Sequence, residues 1–344
     1  MPAKAAHPSR VHIPGWVRVG APLIVLALTI WLIVIPQLGD AKDALASIGR
    51  IAIPLAIVAF ILELGSLASY SALTQSILSQ RPPSYFTLVR IDATDVGLNH
   101  VVPGGGATSG AVRLRLFKLV GIGSARAFTT ATIEITGSNI VLGAIFAIGV
   151  AISISSFAGS PLYVTAAVFV LALLAVTAAS VWLLIKRTDF AVRVVRAIAR
   201  RLPFVTAAAA EAFVRAMALQ LRQLGDDPRR LLISVGFALG NWLLDAVALW
   251  VIFAAFGQVL SLGAILTVYG LGSIIAQLPL TPGGLGIVEG VMVPAFIAFG
   301  VSPADAVIGV LGWRLLEFWM PIPLAVLAYG SLRLGPLRRH ATEH

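Results

Sequence analysis

Apolar positions run in long blocks along this chain, and polar residues gather in the short stretches between them. Blocks near residues 19–36, 51–79, 127–156, 161–185, 231–256 and 306–330 approach or exceed the roughly 20 residues that a helix needs to cross a bilayer. Each predicts a spanning helix. Two further regions, about 85–118 and 262–300, are also apolar but are interrupted by proline and glycine. The first reads NHVVPGGGATSGAVR from Asn99 to Arg113, and the second LPLTPGGLGIVEG from 278 to 290. Proline removes a backbone donor and glycine widens the allowed dihedrals. Broken backbone at membrane depth survives only where it is buried in protein or lines a wet cavity. The two segments therefore read as re-entrant hairpins whose tips meet. The plainer alternative is a sharp loop between two spanning helices. A half-helix starting at Leu285 would turn its positive end toward an anionic group.

The two breaks also expose a repeat. Setting Pro103 on Pro282 gives an offset of 179 residues. The same offset carries the helix that starts near 51 onto 230, and the helix that starts near 127 onto 306. The halves, about 51–156 and 230–330, open from opposite sides of the membrane. Inverted repeats with discontinuous helices are the architecture of many secondary transporters. The expected fold is all-α and polytopic: six to eight spanning helices in one transmembrane domain, 19–330. A tail at 1–18 and a basic tail at 331–344 flank it, and a basic segment at 186–230 separates the halves.

Composition agrees with the pattern. Hydrophobic residues make up 58% of the 344 and charged residues 12%, with mean hydropathy +0.95. A soluble domain carries about twice that charged fraction. No segment is both polar enough and long enough to form a separate soluble catalytic domain. The excess of 25 Lys and Arg over 15 Asp and Glu collects at segment ends, in Arg81–Arg126, Lys186–Arg230 and Arg333–Arg339. The connections SSFAGSP (155–161) and FGQVLS (256–261) carry no charge. With both termini cytoplasmic, every strongly basic segment falls inside a bacterial plasma membrane. That accounts for the charge better than a nucleic-acid partner does. The run Val19–Ile35 after Lys4, Arg10 and Arg18 reads as a retained first helix. Phe190–Leu224, with arginines among Val and Ile, reads as an amphipathic interfacial helix.

Chemistry-bearing groups are few. Cysteine is absent and the five histidines are scattered, so neither a metal site nor a cofactor is expected. The glycine pattern in GLGIVEG lacks the βαβ unit that a dinucleotide loop requires. Ionisable residues inside spans are costly and mark candidate sites. Here they are Glu63, Glu134, Asp245, Glu289, Arg314 and Glu317. Arg314 and Glu317 are three apart and share a helix face. One reading has Arg314 paired with Glu317 or Glu289 to hold helices together. The other has an acid and an arginine receiving a charged headgroup. Glu63 and Asp245 sit at related depths, with Ser66, Ser69 and Asn241 near enough in sequence to bond them. Asp92 and Asp95, near the cytoplasmic edge, read as solvated.

The two Pro-Gly blocks, together with WRLLEFWMPIP, resemble the lysylphosphatidylglycerol synthase transmembrane-region family, also described as a flippase-like domain family. The resemblance runs from about 20 to 330. It implies a membrane module that, in bifunctional members, precedes a cytosolic aminoacyl-transferase and is associated with moving aminoacylated phosphatidylglycerol across the membrane. This chain looks like the membrane module alone. By that resemblance Pro282, Gly283, Gly284, Gly286 and Glu289 fall on the second signature, and Arg314 on the arginine of the last helix. Asn99, Pro103, Gly104 and Arg113 match a looser first signature, with Gly105 beside them. The acidic residue that many members carry after the first Pro-Gly element is missing here. The expected function is lipid translocation, of aminoacylated phosphatidylglycerol or a related lipid-linked headgroup. The expected partners are that lipid and a separate synthase or transferase. Glu289 and Arg314 would bind or gate the headgroup, and Arg113 would steer a phosphate from the cytoplasmic side. Glu63, Glu134, Asp245 and Glu317 would be coupling or structural charges. The alternatives are an enzyme acting on a lipid-linked donor and a non-transporting subunit of a lipid synthase.

Overall fold

Two long apolar helices packed antiparallel form the centre of the molecule. They are α1 (Ile53–Leu78) and α7 (Pro228–Ala255). The computed structural model describes residues 51–78, 82–102, 105–153, 187–199, 207–277 and 281–334, with scattered positions between 165 and 186. The expected helix at 19–36, most of that at 161–185, both tails apart from 331–334, and Pro103 and Gly104 lie outside the described residues. Described residues are almost entirely helical, with no strand among them.

α1 leads into α2 (Tyr85–Val101), α3 (Gly105–Leu119) and α4 (Ser124–Ser153). Two shorter helices follow, α5 (Thr188–Ala199) and α6 (Ala207–Gly225), which pack on each other. The second half continues from α7 through α8 (Leu262–Ala276), a 3-10 turn (Pro282–Gly284) and α9 (Ile287–Ala298). It closes with α10 (Pro303–Arg314), a π turn (Leu315–Trp319) and α11 (Pro321–Leu334). By length and composition, α1, α4, α7 and the continuous stretch Pro303–Leu334 are each able to cross a membrane. Their unpartnered faces are apolar: Ile53, Leu232, Val326 and Leu327 are exposed. Such faces are stable toward lipid.

Local chemistry sets the helix starts. Asp227 accepts a hydrogen bond from the Arg230 N–H at 3.0 Å, with Pro228 in the first turn. Ser261 and Ser302 cap α8 and α10 in the same way, accepting from Ala264 and Asp305. The basic segment, read from the sequence as one or two surface helices, holds the pair α5–α6. Ion pairs Arg196–Glu211 and Arg215–Asp189 tie its two members.

The repeat is visible in the helix boundaries. α3 ends at Leu119 and α9 at Ala298, while α4 begins at Ser124 and α10 at Pro303, each pair 179 residues apart. Packing exchanges the halves: α4 lies along α8, and α11 along α2. The equivalent helices α1 and α7 meet at both ends and in the middle. The Ala52 N–H donates to the Ala255 carbonyl at one end. Ser66 and Asn241 bond each other midway. At the far end the Arg230 guanidinium donates to the carbonyls of Ser76 and Ile77. Equivalent helices running antiparallel mean that the halves have opposite direction, as the sequence predicts.

The exchanged contacts are tight because glycine permits them. A Cβ at Gly149 of α4 would sit 2.6 Å from the Thr267 nitrogen of α8. A Cβ at Gly97 of α2 would sit 2.5 Å from the Pro321 carbonyl oxygen. Small residues at such crossings let backbones approach in place of a hydrophobic driving force that lipid does not provide. Aromatic and aliphatic side chains of α7 to α10, including Leu249, Phe253, Met292, Phe296 and Trp313, fill the largest core cluster.

Candidate functional site

The second Pro-Gly block folds into a tight turn that delivers a carboxylate to an arginine. Gly283, Gly284 and Gly286 all have positive φ, of 55°, 70° and 83°. At Gly283 there is also no room for a side chain: a Cβ would lie 2.4 Å from the Phe318 ring. The turn feeds α9, whose first turn carries Glu289. One carboxylate oxygen of Glu289 accepts the Gly286 N–H at 2.6 Å, and the other accepts Arg314 Nε at 2.6 Å. The chain's own carboxylate thus meets the positive end of this half-helix, where the sequence points to an anionic group.

Arg314 is fully engaged. Its Nη1 donates to Glu317 at 2.7 Å and its Nη2 to the Gly283 carbonyl at 2.9 Å, while the guanidinium lies over the Phe318 ring. Arg314 therefore pairs with both acids that the sequence offers it. The π turn makes this possible. One extra residue per turn, followed by Pro321 without a donor, brings Arg314, Glu317 and Phe318 to one side of the helix. His100 of α2 stacks on Phe318 and donates from Nδ1 to the Phe318 carbonyl at 2.9 Å. No sequence signal nominates His100; its partner lies in the other half.

The first half has a matching cluster. Arg113 of α3 is 3% exposed and donates to Asp92 at 2.8 Å, to Glu134 at 3.0 Å, to Thr74 at 2.9 Å and to Tyr70 at 3.1 Å. Asp95 lies 3.8 Å away. Asp92 is fully buried, so the solvated reading of this acid is wrong: a carboxylate next to a buried arginine is stable there, and α3 excludes water from it. Asn99 lies in the last turn of α2 with its Oδ1 toward Gly106, and Gly105 opens α3.

Compared through the offset, the two clusters exchange polarity. In the first half the arginine is on α3 and the glutamate, Glu134, on α4. In the second the glutamate is on α9 and the arginine on α10. Arg113 maps within one helical turn of Glu289, and Glu134 maps beside Arg314. The sequence alignment of Pro-Gly blocks hides this, because neither charge matches its own kind.

Between the clusters lies a cavity of about 240 Å³. Glu63, Glu134, Asp245 and Glu317 line it, each in the middle third of a candidate span, together with Ser138, Asn139 and Gln277. Among the described residues no arginine or lysine lines it. Asp245 accepts from Trp313 Nε1 at 2.7 Å and from the Tyr269 hydroxyl at 2.9 Å. Ser66 bonds Asn241 instead of either acid. A larger groove of about 1030 Å³ runs between α2, α3 and α11. Its walls include Leu98, Val101, Leu116, Leu119 and Val326, and Arg115 and Arg333 stand at their edge.

The family model for the lysylphosphatidylglycerol synthase TM region matches residues 20–325, nearly the whole chain. The chain belongs to that family. Curated relatives carry only the description UPF0104 membrane protein. One from Methanothermobacter thermautotrophicus is 33% identical over 108 residues, covering 31% of this chain and 32% of its own length. Another, from Pyrococcus horikoshii, is 31% identical over 99 residues, covering 29% of this chain and 30% of its own. A third, from Methanocaldococcus jannaschii, is 27% identical over 96 residues, covering 28% and 29%. Each alignment spans less than a third of the relative's length. Membership establishes a multi-pass membrane protein, and the residues of the second signature are those that build the Glu289–Arg314 site.

Proposed function

We propose that this chain translocates a phospholipid bearing a cationic headgroup between the leaflets of a bacterial plasma membrane. The carrying observation is the carboxylate-lined cavity at mid-span between two inverted halves. Among the described residues, four acids and no basic residue line one small space; Glu134 and Glu317 are paired with Arg113 and Arg314 behind it, whereas Glu63 and Asp245 have no such partner. Such a space rewards a positive charge, as an aminoacylated headgroup has, and disfavours a bare phosphate. The arginine clusters then hold the walls in place: Arg113 and Arg314 spend their donors on protein acceptors. Arg113 is a positioning residue in this reading, rather than the phosphate guide that the sequence suggests.

The groove behind α2 and α11 supplies the complementary surface for the rest of a lipid. Its apolar walls suit acyl chains, and Arg115 and Arg333 suit a phosphate near their end. A headgroup crossing through the cavity while its chains stay outside is consistent with both spaces. Broken helices next to a polar site are a recurrent arrangement in transporters.

The test is a headgroup-accessibility assay in liposomes, with labelled phosphatidylglycerol, its lysyl ester and a neutral lipid. Protein-dependent exposure of inner-leaflet label is expected for the lysyl ester first. Asn139→Phe, which fills the cavity from α4, removes it while the protein stays folded. Equal exposure of all three lipids in the wild type and in the filled variant would refute the cavity route.

A further inference from the structure

Among the described residues that line the cavity, Glu63 and Asp245 are the acids without an ion pair to an arginine, and Glu63 is the less well satisfied of the two. It is 7% exposed, and its Oε1 has no hydrogen-bond donor. Its carboxyl and that of Asp245 on α7 line the same cavity and act on each other directly, and Trp313 of α10 serves both. Asp245 already takes a donor on each oxygen, from Tyr269 of α8 and Trp313 of α10. Glu317 of the π turn adds a third negative group nearby, but it is paired with Arg314. From α4 comes Glu134, which is paired with Arg113. Among the described residues, the charged or titratable groups around Glu63 are thus acids, two of them already paired with an arginine, and a tyrosine hydroxyl.

Two buried carboxyls side by side without a counterion cannot both be ionised, because each raises the cost of the other's charge. Asp245 has two donors to stabilise an anion, and Glu63 has none on Oε1. A proton between them therefore resides on Glu63, which then donates to Asp245. The pair forms part of the wall on which a positive headgroup would come to rest.

We infer that Glu63 and Asp245 are a proton-sharing carboxyl pair, and that a cationic group in the cavity displaces their proton. This rests on the cationic-headgroup reading above. In the step, the O–H bond of Glu63 breaks and its proton leaves the cavity, carried by water to the bulk. The carboxylate left behind becomes the counterion of the incoming ammonium, so charge in the cavity is conserved. Translocation of the headgroup one way is then exchanged for a proton the other way.

Infrared difference spectroscopy on the reconstituted wild-type chain tests the pair directly. At neutral pH a protonated-carboxyl carbonyl band is expected. It should disappear in Glu63→Gln, and it should bleach on addition of lysyl-phosphatidylglycerol but not of phosphatidylglycerol. Release of about one proton per chain should accompany the bleach, since a coupled pair gives up its proton as a unit. A neutral-pH spectrum without that band, or a band that persists in Glu63→Gln, overturns the pair. Bleaching by sodium ions or by phosphatidylglycerol as strongly as by the lysyl ester overturns the exchange. If Glu63→Gln fails to fold, the wild-type band and its lipid dependence still decide. A band with the expected behaviour in a chain that moves no lipid would keep the pair and remove the translocation reading. Lipid movement that ignores an imposed pH gradient would do the reverse.

Discussion

Neutralising Glu289 should loosen one end of the molecule far more than neutralising Glu317, although both bond the same arginine. In Glu289→Gln the side chain keeps its shape, but only one of its two polar atoms accepts. The native oxygens take two donors, Gly286 N–H and Arg314 Nε, each at 2.6 Å. The amide nitrogen of glutamine must face one of them as a donor against a donor. One charge-assisted bond is lost, worth about 1.5–3 kcal/mol, and Arg314, 2% exposed, loses a counterion. Glu317 and the Gly283 carbonyl remain, so the full cost of about 3–5 kcal/mol for stranding a buried charge is not reached. The expected loss is about 2–4 kcal/mol, roughly a thirty- to thousandfold shift toward the unfolded chain. Glu317, with a side chain 23% exposed, should cost about 1 kcal/mol or less in Glu317→Gln. Equilibrium unfolding in mixed micelles, followed by tryptophan fluorescence, measures both. Arg314→Met completes a cycle: alone it strands Glu289, whereas combined with Glu289→Gln it should cost less than the two single changes summed. Strict additivity, or equal losses at Glu289 and Glu317, would show that the pair does not hold the turn and the helix together.

Further expectations concern the crossings and the first cluster. Gly149→Ala should destabilise by about 1–3 kcal/mol, because the added methyl meets the α8 backbone, while Gly137→Ala on the same helix, with open space around it, should be neutral or stabilising by up to about 1 kcal/mol in the same unfolding assay. Arg113→Lys cannot reproduce the five-donor fork that spans Asp92, Glu134, Thr74 and Tyr70, and should lower the unfolding midpoint and the hydrogen-exchange protection of α3 despite retaining the charge. Glu289→Gln should also reduce lipid exposure in the liposome assay, and a folded variant with wild-type transport would detach the second signature from function.

Much of the architecture is legible in the chain because lipid allows few solutions. Long apolar blocks become α1, α4, α7 and the Pro303–Leu334 stretch, and glycine and proline mark where the backbone must turn. The 179-residue offset survives at the α3–α4 and α9–α10 junctions and holds to within four residues at the other helix starts and ends of α1–α3 and α7–α9, because element lengths change less than side chains do. Arg314 with Glu317 is local, three residues apart on one helix. Beyond that the site is made of contacts that spacing cannot encode. His100 reaches Phe318, and Asp245 reaches Trp313, across the fold. Asp92 looks like a surface acid in the sequence because its burial depends on α3, whose arginine lies 21 residues on. The exchange of charges between halves is invisible to an alignment that rewards identity.

The π turn at Leu315–Trp319 also records how the two copies have come to differ. α4, its counterpart in the first half, runs without a break from Ser124 to Ser153. A π turn holds one residue more than the α turn it replaces, so the duplicates fall out of step at that point. The starts of α4 and α10 share the 179-residue offset of the α3 and α9 ends, but α11 ends two residues later than that offset places it. Any internal alignment of such duplicated chains must open its gap within LLEFW.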